Sequence, residues 1–363
     1  MKGFIFLILY FSIPVSNTFS QIIAIDSTAL QIDSLNQDTI SIIGVGDMML
    51  GTNYPSISYL APNDGKDLLN PVKEILSGAD LTFGNCEGTF LDEGGTVKSC
   101  EDPAKCYAFR QPTRYVNYLV DAGFDVVSIA NNHVGDFGET GRNSTVETLE
   151  SAGLHYAGLL SCPVDTFTLD SIRYGFVAFS PNMGTNDISD LVTAKKLVAH
   201  LDSISDVVIV SFHGGAEGSS YTGVPKSREI FYGEDRGNVF EFSHAVIDAG
   251  ADIVFGHGPH VTRAMELYNN RIIAYSLGNF CTYSRFNLSG VNGIAPLLNV
   301  FVNKEGEFLY GKIYSIKQVG EGGPQIDEEK KIIAQLISLT KKDFPETQLE
   351  ITEGGLIKSI DQK

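Results

Sequence analysis

The 363-residue chain has no tryptophan, only five cysteines, and far fewer basic than acidic residues: 26 Lys and Arg against 44 Asp and Glu, a formal net charge of −18. The missing tryptophan excludes nothing. The basic deficit does: such a surface repels nucleic acid and anionic lipid, and no basic cluster interrupts it. A polyanionic substrate meets the same repulsion, so a site for one needs a local positive charge such as a metal ion. None of Cys86, Cys100, Cys106, Cys162 and Cys281 has CxxC spacing, which argues against a zinc knuckle. The odd count leaves at least one thiol unpaired in an exported protein. Cys100 and Cys106, in "SCEDPAKCYAF", enclose a turn built on "EDP" and form the candidate disulfide. No apolar run reaches the ~20 residues that span a bilayer, so no stable transmembrane anchor is expected. Internal repeats and low-complexity segments are absent too.

What is present begins with an export signal over residues 1–20. Lys2 supplies the positive start, "FIFLILYF" the apolar stretch, and "NTFS" the small or polar end. No cysteine follows to carry a lipid. Residues 21–40 lack a clean period and read as a linker. A globular domain is expected over 41–345, and a tail over 346–363. Within the domain, apolar runs of strand length end in Gly, Asn or His: "SIIGVGD", "ADLTFGNCEG", "FDVVSIANNH", "YGFVAFS", "DVVIVSFHGG", "ADIVFGHGPH" and "RIIAYSLGNF". Amphipathic stretches such as "TRYVNYLVDAG" and "STVETLESAG" separate them, several stopping at a glycine suited to a helix C-cap. Short apolar strands without alternation, separated by helices, predict a layered α/β domain whose strands are buried on both faces. Near the end, "PLLNVFVNKEGEFLYGKIYSIKQV" predicts a hairpin and "DEEKKIIAQLISLTKK" a surface helix.

The chemistry-capable residues fall at C-terminal strand ends. Asp47 ends the first strand, and Asn85 and Glu87 the second. Asn131, Asn132, His133 and Asp136 follow the third, and His213, His257 and His260 follow two later ones. Ligands gather at that edge of an α/β sheet because side chains from neighbouring strands converge there. Any one of these residues alone reads as a helix cap or a hydrogen-bonded loop residue. Together, Asp, Glu, Asn and His make a ligand set for one or two divalent ions, with Mn, Zn, Fe and Mg all compatible. His155, His200 and His244 lie away from strand ends and are read as structural. Asn85, Arg110 and Arg285 are candidates to contact an acidic substrate, with a solvated-surface role as the alternative for the two arginines.

Six motifs, "GVGDMMLG", "GNCEGTF", "ANNHVGDFG", "SFHGGAE", "GADIVFGHGPHV" and "YSLGNF", occur in the order and spacing of the CapA family. The chain therefore resembles the poly-γ-glutamate capsule biosynthesis proteins, a branch of the calcineurin-like metallophosphoesterase superfamily, over residues 41–285. The resemblance implies a four-layer αββα sandwich with a metal centre at the strand ends. It implies Asp47, Glu87, Asn132, His213, His257 and His260 as metal ligands, His133 as proton donor and Asp136 as its orienting partner. Three positions depart from the superfamily pattern: Met49 stands where the first motif has a His, Asn131 where a Gly precedes the Asn, and the last pair is spaced "HGPH". Met is a poor substitute for imidazole on a hard ion, so phosphoesterase activity does not follow from the superfamily name. The expectation is a secreted or periplasmic bacterial hydrolase or transferase. It would act on an anionic polymer such as poly-γ-glutamate or a cell-surface glycan, alongside capsule-synthesis machinery. The competing expectation is a non-catalytic export or assembly factor that binds polymer at a metal-stabilised site.

Overall fold

The computed structural model describes residues 39–100 and 106–360. The expected export signal and the linker up to residue 38 lie outside the described residues. The chain builds one sheet, then a second, then returns to the first. Strands β1 (Ile40–Met49), β2 (Leu81–Cys86), β3 (Val126–Ser128) and β4 (His155–Ala157) pair in parallel. The second sheet follows from β5 (Val164–Leu169), β6 (Ile172–Phe179), β7 (Val207–His213), β8 (Ile253–His257), β9 (Met265–Tyr268) and β10 (Arg271–Ala274), in the order β9-β10-β8-β7-β6-β5. Strands β11 (Asn279–Thr282), β12 (Ile294–Val302), β13 (Phe308–Gln318), β14 (Pro324–Ile326), β15 (Leu349–Ile351) and β16 (Leu356–Ser359) rejoin the first sheet. That ten-stranded sheet runs β15-β16-β13-β12-β1-β2-β3-β4, with β11 beside β1 and β14 beside β13. The sheet thus continues past residue 345 into the stretch expected as a tail.

Successive apolar residues in a strand point to opposite faces, and here both faces are covered. On the inner faces, Ile42, Phe83, Val126 and Leu298 of the first sheet meet Phe176, Ile209, Ile253 and Phe255 of the second. Phe83 and Phe255 stack with centroids 5.3 Å apart. On the outer face of the first sheet, Ile43, Val45 and Val127 pack on Leu76, Leu119 and Leu149 from helices α1 (Lys73–Leu76), α2 (Val116–Ala122) and α3 (Gly138–Ala152). On the outer face of the second, Val208, Val210 and Val254 pack on Val198, Phe242 and Val246 from α4 (Leu191–Asp202) and α5 (Val239–Ile247). The result is the expected four layers, helix, sheet, sheet, helix.

Local signals match this arrangement. Gly123 and Gly153 take φ of 91° and 74° at the ends of α2 and α3, where a side chain would be strained. Asp190 and Asn238 cap α4 and α5 by accepting from Thr193 N and Glu241 N. Two expectations need correction. "RIIAYSLGNF" is not one strand: β10 ends at Ala274 in the second sheet, and β11 begins at Asn279 in the first. The run stays apolar through the crossing because both sheets are buried, so periodicity carries no sign of it. The predicted surface helix is α6 (Lys331–Asp343), and it is more deeply engaged. Its Ile332, Ile333 and Leu336 enter the core between the sheets.

Candidate metal centre

The site starts from an extra residue in β1. Gly44 pairs with Phe83 and Asp47 with Asn85, so three steps along β1 match two along β2. Before this bulge Ile43 and Val45 face the outer helices, and after it Met48 does. Asp47 is therefore turned to the inner face it would otherwise miss. Gly46 allows the turn, because a Cβ there would lie 2.0 Å from the Gly278 carbonyl oxygen. On β2, ordinary alternation carries the inner face from Leu81 and Phe83 to Asn85 and, just past the strand, Glu87. Cys86 points the other way, into the outer apolar cluster, so its thiol is not a site group.

The groups expected from distant strand ends meet here. Candidate ligand atoms of Asp47, Glu87 and His213 all lie within 4.8 Å of one another. His257 Nδ1 is 3.3 Å from Asp47 Oδ1, and His260 Nδ1 is 2.8 Å from Asp47 Oδ2. His213 Nδ1 is 3.5 Å from Glu87 Oε2. His213 and His257 are neighbours across β7 and β8, in register. His133 Nδ1 meets Asp136 Oδ2 at 2.7 Å, and its Nε2 lies 3.8 Å from Glu87 Oε1.

Whether this set fits a divalent ion is tested by its unpartnered atoms. Glu87 Oε1, Asn132 Oδ1 and both ring nitrogens of His213 and His257 are buried without a hydrogen-bond partner. An unsatisfied buried polar group costs ~1–3 kcal/mol, so the Glu87, His213 and His257 atoms, gathered at one place, together rival the whole stability of a domain. A cation satisfies them together, and the donor set suits one. The electrostatics agree. Burial alone would raise the Asp47 carboxyl, yet the His257 and His260 rings beside it, the latter hydrogen-bonded to it, hold it well below the carboxylate range. Burial, then the Asp47 charge, pushes Glu87 up to about 8. Burial opposes charge on His260, but its bond to Asp47 lifts it to about 10. Burial and the Arg236 charge drive His213 well below its usual range, keeping it neutral as a ligand must be. Protons on Glu87 and His260 thus stand in for positive charge that a cation would bring.

Residues 41–284 match the family model described as bacterial capsule synthesis protein PGA_cap. The chain belongs to this family. Among its relatives, the capsule biosynthesis protein CapA of Bacillus anthracis is 28% identical over 255 residues, 65% of this chain and 58% of the relative. The PGA biosynthesis protein CapA of Bacillus subtilis (strain 168) is 26% identical over 271 residues, 69% of this chain and 65% of the relative. The chain thus spans less than two thirds of the length of either. Among solved structures, a 5′-nucleotidase precursor from Thermus thermophilus is similar over 83% of this chain and 58% of that one, at 11% identity and a TM-score of 0.43. No helix among the described residues is long and apolar enough to cross a membrane.

For this PGA_cap member, the three candidate substrate contacts sit as follows. Asn85 Nδ2 donates to both Asp47 Oδ1 (2.8 Å) and Glu87 Oε2 (2.6 Å), while its Oδ1 accepts from Asn131. Its amide is thus committed to holding the two carboxylates together. Arg110 donates to Asn53 Oδ1 and the Gly94 carbonyl, with its guanidinium over the Tyr54 and Phe137 rings. Arg285 lies 4.9 Å from the Tyr59 ring and 5.0 Å from Tyr107. His155 and His244, read as structural, pair with Asp165 and Glu266. Sequence reasoning missed Lys98, whose Nζ is 2.6 Å from Asp136 Oδ1. It also missed Asn279, which pairs in register with Asp47 and donates to the His260 carbonyl. "YSLGNF" marked Asn279 within a motif, whereas Lys98 lies on a loop that no strand-end rule reaches.

Proposed function

We propose that the chain is a metal-dependent hydrolase or transferase working on an anionic surface polymer of the poly-γ-glutamate kind, or on that polymer's link to the cell surface. One observation carries the reading. Ligand-type atoms of Glu87, Asn132, His213 and His257 are buried without partners, beside a His133–Asp136 pair. The names of the two Bacillus relatives, capsule biosynthesis and PGA biosynthesis, support the substrate class. Asp47, Glu87, Asn132, His213 and His257 would hold one or two divalent ions, with Mn, Zn, Fe and Mg as candidates. His260, whose Nδ1 is engaged with Asp47, would join only through Nε2. Such an ion, when bound, supplies a water acidified toward pKa ~7 and a positive charge that attracts an anionic chain.

The remaining work belongs to this chain's own groups. Asp136 accepts from His133 Nδ1, fixing the ring and leaving Nε2 to hand its proton to a leaving group. Burial lowers the His133 pKa, and the Asp136 charge draws it back. Action outside the cytoplasm, next to capsule-synthesis machinery, is part of the same reading. The test is metal analysis of purified protein together with turnover of poly-γ-glutamate and of bis(p-nitrophenyl) phosphate. His133→Ala should keep the parent's metal content and lose roughly 10²–10⁴-fold in turnover. A parent that binds the polymer and turns over neither substrate would refute the hydrolase and favour the assembly factor.

A further inference from the structure

Asp136 is gripped from two sides by one loop. From the first limb, the Lys98 backbone N–H donates to the Asp136 carbonyl at 2.8 Å, and Lys98 Nζ meets Asp136 Oδ1 at 2.6 Å. From the second limb, the Phe109 N–H donates to Asp136 Oδ2 at 2.7 Å, and the Phe109 ring lies 4.3 Å from that of His133. Between the two grips, Cys100 and Cys106 form the expected disulfide, with Cα atoms 5.7 Å apart. The second limb is tied to the body of the fold, since Thr89 N–H donates to the Phe109 carbonyl and Leu91 N–H to that of Gln111. The Lys98 side chain is about a quarter exposed, so its bond to Asp136 competes with water. Covalent closure two residues beyond Lys98 removes much of the freedom that competition would exploit.

We infer that this disulfide-closed loop is the positioning element of the His133–Asp136 pair. Lys98 and Phe109 are its positioning residues, and the pair's alignment depends on the Cys100–Cys106 bond. The inference rests on the reading of His133 as proton donor. A closed loop that merely staples the surface would add stability without changing how Asp136 is held.

Two measurements on the full chain separate these roles. The first is hydrogen exchange of the parent with and without dithiothreitol. That reagent passes two electrons and two protons to the disulfide, leaving two thiols and its own cyclic disulfide. Peptides covering Lys98, Phe109 and residues 131–138 should exchange about tenfold faster after reduction, with β1 and β8 unchanged. Cys100→Ser/Cys106→Ser should show the same pattern without reductant. Unaltered protection at Phe109 and at 131–138 in both cases overturns the inference. The second is turnover of bis(p-nitrophenyl) phosphate. Lys98→Met and the double serine variant should each lose about tenfold in kcat with KM within about twofold, and Lys98→Arg should keep most of the parent's rate. Equal losses in Lys98→Arg and Lys98→Met, or a change in KM alone, overturn it. A parent that turns over neither poly-γ-glutamate nor bis(p-nitrophenyl) phosphate refutes the hydrolase reading, and hydrogen exchange still decides whether the loop positions Asp136.

Discussion

Stripping the protein of divalent ions should make its stability depend on pH through Glu87. That carboxyl is fully buried, and burial together with the Asp47 charge raises its pKa from 4.5 to about 8. Between those values the folded state holds a proton that the unfolded chain releases. The associated stability is complete below the unfolded pKa and is lost as pH climbs through the folded one. At ~1.4 kcal/mol per pH unit, the window corresponds to a loss of roughly 3–5 kcal/mol between pH 5 and 8.5. Asp47 does not add to this, because its folded pKa is depressed and its stabilisation is already complete above pH ~5. Histidines titrate in the same range, so the quantity to read is the difference between the parent and Glu87→Gln. Urea denaturation of chelator-treated protein at half-unit steps of pH measures it. The parent should fall toward and below Glu87→Gln as pH rises, and Mn²⁺ or Zn²⁺ should restore the parent alone. Parallel pH curves for the two proteins would show that Glu87 does not face Asp47 as a forced proton carrier.

Other expectations follow from the same geometry. Because Glu87 at about 8 and His260 at about 10 both carry protons near pH 7, ion uptake should release protons, and apparent affinity should rise from pH 6 to 8. Calorimetric titration in buffers of different ionisation enthalpy reads the number released, and none released would contradict the site's electrostatics. Gly46→Ala forces a methyl to within 2.0 Å of a backbone oxygen and should cost ~3 kcal/mol or more together with ion binding. Gly354→Ala, whose nearest neighbour is 3.8 Å away, should cost ~1 kcal/mol or less in the same denaturation assay. Arg263 makes two 2.8 Å bonds to the carboxylate of buried Glu229, which otherwise accepts, among the described residues, from the Ala216 N–H alone. Arg263→Met should therefore lose ~3–5 kcal/mol, and a loss under 1 kcal/mol would mean that water reaches Glu229.

Much of the site was legible because strand ends announce themselves. An apolar run followed by Asn, Asp or His is readable in one dimension, and Asp47, Glu87, His213 and His257 were all found that way. Asn85 was found but given another role, since nothing local shows that its amide would bridge two carboxylates from different strands. Lys98 and Phe109 stayed invisible, because loop residues follow no period and their partner Asp136 lies far along the chain.

By itself, the sequence determined which side chains could ligate an ion, and that they follow buried strands, because hydrophobic period and residue chemistry are local properties. It also placed the cysteine pair that closes the loop, six residues apart. Only the tertiary structure decided which way those side chains face. A single extra residue in β1 reverses the alternation at Asp47, and the run "RIIAYSLGNF" straddles two sheets. Facing is a relation between strands, set by register and by the room left at Gly46, and no stretch of chain carries both partners of that relation.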